Sequence, residues 1–222
     1  METEIPKPVI NVLLVEDHPM FRERLASVIS KRGDMAVCAE ADNIHDALRH
    51  AESGVPNIAI VDITLRGSNG LDFLKDLKAR GIDLPVLVLS MHDEAIYAER
   101  VLRAGARGYI TKYEASSEVM AAIEQVLCGG IYLSREMTSR MLGRLSFGKK
   151  GETGGVSALT DRELDVFQRI GRGESVRDIA SSLHIGITTI DTYRARIKEK
   201  LGLRNGNELQ RHAMEWVREN PV

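Results

Sequence analysis

The first 130 residues alternate between two kinds of segment, and that alternation limits the possible folds more than any other feature. Apolar, β-rich runs at 9–15, 35–41, 58–63, 85–90 and 108–111 are separated by helix-like segments at 20–31, 43–53, 70–80, 94–104 and 116–127. The runs are apolar throughout, not at every second residue, which is how parallel strands buried on both faces read. Five strands taken in turn with five helices predict a doubly wound parallel α/β sheet. In such sheets ligands bind outside the carboxyl ends of the strands, where the loops diverge.

After residue 130 the pattern changes. Residues 136–145 suit a short helix, and "SFGKKGETGGVSA" (146–158) is rich in Gly, Ser and Lys with little to bury, as a linker would be. "TDRE" (160–163) and "SVRD" (175–178) are capping boxes, a hydroxyl and an acid each satisfying a free amide of the first turn. Helices are expected at 161–170, 176–183, 188–201 and 207–217, with a tight turn at "HIGI" around Gly186. The expected division is 9–130, a linker at 131–156, and an all-helical unit at 157–220.

Charge divides the same way. Residues 1–130 hold 14 Lys+Arg and 20 Asp+Glu, net −6, while residues 131–222 hold 16 and 12, net +4. The basic half is the one expected to meet a polyanion. The sequence contains no run of about 18 apolar residues of the kind that spans a bilayer, and the opening "METEIPKPVI" lacks a signal peptide's basic-then-apolar layout. A cytoplasmic chain with no membrane partner is expected. Cys38 and Cys128 form no C-x-x-C and stand in apolar context, which predicts buried free thiols. The six histidines show no zinc-ligand spacing.

The first apolar run stops on two adjacent acids, Glu16 and Asp17, in "LLVEDHP" (13–19). The third ends on Asp62, the fourth on Ser90, and the fifth just before Lys112. The predicted sheet sets these groups around one cleft. Three carboxylates together call for a cation, and Mg²⁺ (or Mn²⁺) accepts such oxygens together with a phosphoryl oxygen. A lysine and a hydroxyl suit the remaining phosphoryl oxygens.

"LLVEDHP", "IVDITLRGSNGLDFL" (60–74), "VLVLS" (86–90) and "GARGYITK" (105–112) resemble the receiver domain of two-component response regulators, a flavodoxin/CheY-like fold. "LTDRELDVFQRIGRGESVRDIASSLHIGITTIDTYRARIKEKL" (159–201) resembles a LuxR-type helix-turn-helix. Together they resemble the NarL/FixJ group. The resemblance implies that Asp62 accepts a phosphoryl group from a sensor histidine kinase. It also implies that Asp17, Asp62, Glu16 and the backbone carbonyl of Thr64 hold the metal ion. By the same resemblance Lys112 and Ser90 bind phosphoryl oxygens, and Tyr109 swings inward as Ser90 responds. Thr64 and His92 stand where the family tunes phosphate loss. The chain departs from the family at Leu65-Arg66, commonly Met-Pro, and at Tyr113, usually proline. Beyond its own phosphoryl transfer and dephosphorylation, no enzyme activity is implied.

For the helical unit the resemblance implies a double-stranded DNA operator. A helix-turn-helix places its second helix in the major groove. Ile190, Ile197 and Leu201 mark that helix's inward face, against Ile179, Ala180 and Leu183 of the scaffold helix. The DNA-facing set is Thr188, Thr189, Thr192, Tyr193, Arg194, Arg196, Lys198 and Lys200. Asp191 admits two readings: an acceptor for a cytosine amino group, or, with more weight, the acid of a Thr188-x-x-Asp191 capping box. On the last helix Leu209, Ala213, Trp216 and Val217 are expected to make a homodimer on DNA, with packing inside the unit as the competing reading. Two other functions stay open. One is a regulator that ignores phosphate, against which the intact set of Glu16, Asp17 and Asp62 argues. A flavin binder needs a phosphate-cradling first loop, which "EDHP" is not.

Overall fold

A computed structural model describes residues 9–65, 68–114, 116–146, 155–183 and 185–220. The chain divides into two compact units between Ser134 and Arg135.

The first unit is a five-stranded parallel sheet of order β2-β1-β3-β6-β7 with helices between the strands. Its main strands are β1 (Ile10–Val15), β2 (Met35–Ala41), β3 (Ile58–Val61), β6 (Val86–Ser90) and β7 (Gly108–Thr111). The helices are α1 (Pro19–Ser30), α2 (Ile44–Glu52), α3 (Gly70–Arg80), α4 (Glu94–Ala104) and α5 (Ser116–Leu127). β3 and β6 are buried along their whole length. Their side chains join those of β1, α1 and α5 in one core that includes Val12, Leu14, Ile29, Ile60, Leu89 and Ile123. β2 lies at an edge, and there the outer side chains are left uncovered. This corrects the expectation for Cys38, which is exposed on β2, its Sγ 3.5 Å from the Val12 carbonyl; Cys128, just past α5, is exposed as well. Burial nonetheless pushes the Cys38 thiol above its ordinary range.

Two local features differ from the sequence expectation. The third strand ends at Val61, and a two-residue hairpin follows, β4 (Thr64–Leu65) paired antiparallel with β5 (Ser68–Asn69). Arg66 lies outside the described residues. The stretch expected to begin the linker instead closes the sheet's other edge. Tyr132 accepts from the Tyr109 amide at 3.0 Å and donates to the Arg107 carbonyl at 2.9 Å, so its neighbourhood belongs to the first unit.

The second unit contains α6 (Arg135–Ser146), a 3₁₀ turn at Gly155–Ala158, α7 (Asp161–Gly171), α8 (Val176–Ser182), α9 (Ile187–Leu201) and α10 (Gly206–Glu219). Residues 147–154, most of the expected linker, lie outside the described residues. Both capping boxes are formed, by Thr160 with Glu163 and by Ser175 with Asp178. Val166, Phe167, Ile179, Ile190, Ile197, Leu209 and Ala213 make the core of the helical bundle. α7 and α10 cross closely because residue 171 is glycine. A methyl there would sit 2.4 Å from the Ala213 carbonyl oxygen and 2.5 Å from Val217. Gly171→Ala should therefore force the two helices apart and cost roughly 1–3 kcal/mol, as overpacking does. Thermal unfolding of this unit measures it, and an unchanged midpoint would refute the close crossing.

Candidate functional site

Strand register brings the acidic and basic groups together. The Asp62 amide bonds the Val15 carbonyl at 2.9 Å, next to the paired Val15 and Val61. The Lys112 amide bonds the Ser90 carbonyl at 2.7 Å. Glu16, Asp17, Asp62, Ser90 and Lys112 thus lie at the carboxyl ends of β1, β3, β6 and β7. Glu16, Asp17 and Asp62 are buried, and with His18 they offer ligand atoms within 4.8 Å of one another. Hard carboxylate oxygens gathered at that spacing fit a divalent cation.

A cation of the protein itself already sits in the cluster. Lys112 Nζ lies 2.5 Å from Glu16 Oε2 and 2.9 Å from Asp62 Oδ2, and all three side chains are almost fully buried. The Phe21 ring of α1 supports it, 4.4 Å from the ammonium, a cation–π contact. The other Asp62 oxygen accepts from the Thr64 amide at 3.2 Å. Burial raises the Asp62 carboxyl to about 6 against the pull of Lys112, and the charge of Glu16 adds to the rise. Gly70 allows α3 to start against this loop, since a methyl there would lie 2.2 Å from the Asp62 carbonyl oxygen.

A second layer runs through the loop after β6. The Ser90 hydroxyl accepts from the His92 amide at 3.2 Å, and Thr64 Oγ1 is bonded to His92 Nε2 at 2.9 Å. The Tyr109 hydroxyl donates to the His92 carbonyl at 2.7 Å. Tyr109 is 1% exposed and already inward here. Burial pushes its phenol well above its ordinary range. Sequence reasoning assigned no role to two neighbours, Phe21 and His18. His18 Nδ1 is 2.9 Å from Asp17 Oδ1 and 3.1 Å from Glu16 Oε1. Its place beside the acidic pair was the available signal. Phe21 gave none, because an aromatic on an amphipathic helix reads as core.

In the helical unit, Ile190 and Ile197 face inward and are fully buried. Thr188, Thr189, Thr192 and Arg196 are exposed, while Tyr193, Arg194 and Lys198 are partly buried. Lys200 departs from its expected role on DNA. It bonds the buried Glu163 at 2.6 Å and the Ala158 carbonyl at 3.3 Å. Burial opposes ionisation of Glu163, yet Lys200 and the Thr160 cap hold its carboxyl below the usual range. Lys200 therefore ties α9 to the start of α7. The expected capping box at Thr188 is also absent: α9 begins at Ile187 behind Gly186, with no side-chain cap bond.

The dimerisation set needs correction in part. Leu209 and Ala213 are 1% and 0% exposed and form the unit's own core, so a second copy cannot reach them. Trp216 is half-buried, its ring 5.8 Å from Phe167 and edge-on to it, and Val217 faces Gly171. Met214, on the outer side of α10, is 51% exposed.

Residues 12–124 match the response regulator receiver domain family, and residues 157–213 match the luxR family of bacterial regulatory proteins. The transcription regulator BvgA of Bordetella pertussis is 34% identical over 190 residues, covering 86% of this chain and 90% of that protein. The response regulator UvrY of Escherichia coli is 29% identical over 201 residues, covering 90% and 92%. Among solved structures, the response regulator ChrA of a heme-sensing two-component system is similar at 28% identity and a TM-score of 0.51, over 95% of this chain and 97% of that one. The chain belongs to the response regulators of two-component systems, those that join a receiver domain to a LuxR-type DNA-binding domain.

Proposed function

We propose that Asp62 accepts a phosphoryl group from a sensor histidine kinase, and that its phosphorylation controls how α9 engages operator DNA. The observation that carries this reading is the meeting of Glu16, Asp17 and Asp62 beside Lys112 at the mouth of the sheet. Asp62 is the nucleophile because Lys112 and the Thr64 amide orient its two oxygens. One of these attacks phosphorus, and the donor's P–N bond breaks with its electron pair left on the imidazole nitrogen. Glu16, Asp17, Asp62 and the Thr64 carbonyl would hold Mg²⁺ (or Mn²⁺), which supplies charge neutralisation for the phosphoryl oxygens when bound. Lys112 then turns its ammonium to a phosphoryl oxygen, and Ser90 donates its hydroxyl to another. Losing the Ser90–His92 bond frees the loop that also holds Thr64 and Tyr109, so the switch has a physical route.

In this reading the receiver runs from residue 9 to Ser134, and the second unit carries α6, the rest of the linker and the DNA-binding domain at 157–220. Arg196 and Lys198 meet phosphates, while Thr188, Thr189, Thr192 and Tyr193 face base edges. Two copies bind two half-sites through the outer face of α10 around Met214. No described helix is long and apolar enough to cross a membrane, and we place the protein in the cytoplasm with its DNA.

The test is a duplex selected from random sequence by the full chain, titrated with and without acetyl phosphate and Mg²⁺. Affinity should rise at least about tenfold on phosphorylation, toward the lower end of the usual allosteric range. Equal affinity in both states would favour a regulator that ignores phosphate.

A further inference from the structure

Asp191 is an acid in the part of α9 that faces DNA, and the structure removes the explanation the sequence favoured for it. A capping acid belongs in the first turn, beside free amides. α9 starts at Ile187 with Gly186 as its cap, which places Asp191 at the fifth helical residue, where no amide is left to cap. Its side chain is 55% exposed and pairs with Arg194 at 3.2 Å. Thr188, Asp191, Thr192 and Ala195 share one exposed stripe, on the side away from the buried Ile190 and Ile197. The Thr192 hydroxyl donates to the Thr188 carbonyl at 2.9 Å, so its hydrogen is engaged within the helix. Ala195 adds no bulk on the following turn.

We propose that Asp191 is a specificity-determining residue which accepts a hydrogen bond from the N4 amino group of a cytosine in the major groove. The proposal rests on α9 being the DNA-reading helix. A carboxylate in that groove is repelled by the phosphates, and a base donor opposite it offsets that cost. The groove offers two such groups, the amino groups of cytosine and adenine. Adenine sets its N7 lone pair beside the amino group, facing the carboxylate, whereas cytosine carries no acceptor there. Arg194 acts as a positioning residue: its guanidinium holds the carboxylate on the stripe and offsets part of its charge before DNA arrives.

The experiment selects random duplexes with the full chain, treated with acetyl phosphate and Mg²⁺, as wild type, Asp191→Ala and Asp191→Asn. The wild type should select a C·G pair at one fixed place in its half-site. In Asp191→Ala that preference should fall on the order of tenfold or more, while affinity for unrelated duplex rises because a repelling charge is gone. Asp191→Asn should move the preference toward adenine, which an amide contacts at both N6 and N7. An unchanged motif in Asp191→Ala would overturn the proposal and leave α9 as the reading helix. A wild type that enriches no sequence would remove that reading, and this proposal with it.

Discussion

Asp62→Asn will gain no mass from acetyl phosphate and Mg²⁺, whereas the wild-type chain will gain about 80 Da, one phosphoryl group. The amide keeps the shape of the side chain but has no anionic oxygen to attack phosphorus, and it weakens the ion site. Intact-protein mass spectrometry reads the result directly. An adduct that persists in the variant would mean that another carboxylate, Asp17 first among them, is the nucleophile. The same substitution has a second consequence of opposite character. Burial and Glu16 raise the Asp62 carboxyl to about 6, so the folded protein holds this proton more tightly than the unfolded chain, where the ordinary value is 3.8. A group raised in this way lowers stability as pH climbs through that window, and above it the loss is complete. Linkage limits the effect to about 3 kcal/mol, and the variant forfeits the Lys112–Asp62 bond. A net gain of about 1–2 kcal/mol is expected at pH 7 without metal, a rise in melting temperature of roughly 2–8 °C. The gain should vanish near pH 4. Loss of function with gained stability is what a site built for charge binding should give.

Lys112→Met should have the largest effect on stability. Lys112 lies within 2.5 Å of Glu16 and 2.9 Å of Asp62, all but buried with both. Removing one partner of a buried ion pair leaves uncompensated charge and costs about 3–5 kcal/mol. In EDTA the receiver transition should fall by roughly 10 °C or more. Methionine fills much of the same volume over Phe21, which leaves charge as the cause. Mg²⁺ should then raise the variant's midpoint by more than the wild type's, because a divalent ion joins carboxylates that no ammonium neutralises any longer. Equal midpoints in EDTA, or an equal response to Mg²⁺, would show that the carboxylates do not depend on Lys112. Phosphoryl uptake should also fall, since the cation that meets the phosphoryl oxygens is gone.

Much of this was legible because burial writes itself into residue type. A central parallel strand must be apolar on both faces, so β3 and β6 stood out as runs, and a strand's end stood out where the run met Asp62 or Ser90. The capping boxes at Thr160 and Ser175 were equally plain, because a cap is completed within four residues. The capping box expected at Thr188 failed locally, because α9 starts at Ile187 behind Gly186, whereas three other errors each turned on what covers a residue from elsewhere in the chain. Cys38 looked buried because its neighbours are apolar, but its strand is an edge. Leu209 and Ala213 looked available to a second copy until α7 was seen to cover them. Lys200 looked like a phosphate ligand until Glu163, far away in sequence, claimed it.

By itself the sequence determined the order of strands and helices, the two-part division, and the acids, hydroxyl and lysine that stand at strand ends, because these follow from local periodicity. Tertiary structure alone decided that Lys112 bridges Glu16 and Asp62 over Phe21, and that α9 buries Ile190 and Ile197 and leaves Asp191 on its exposed side. Distances between side chains remote in sequence depend on register and packing, and the strength of a charge depends on how much water its neighbours exclude.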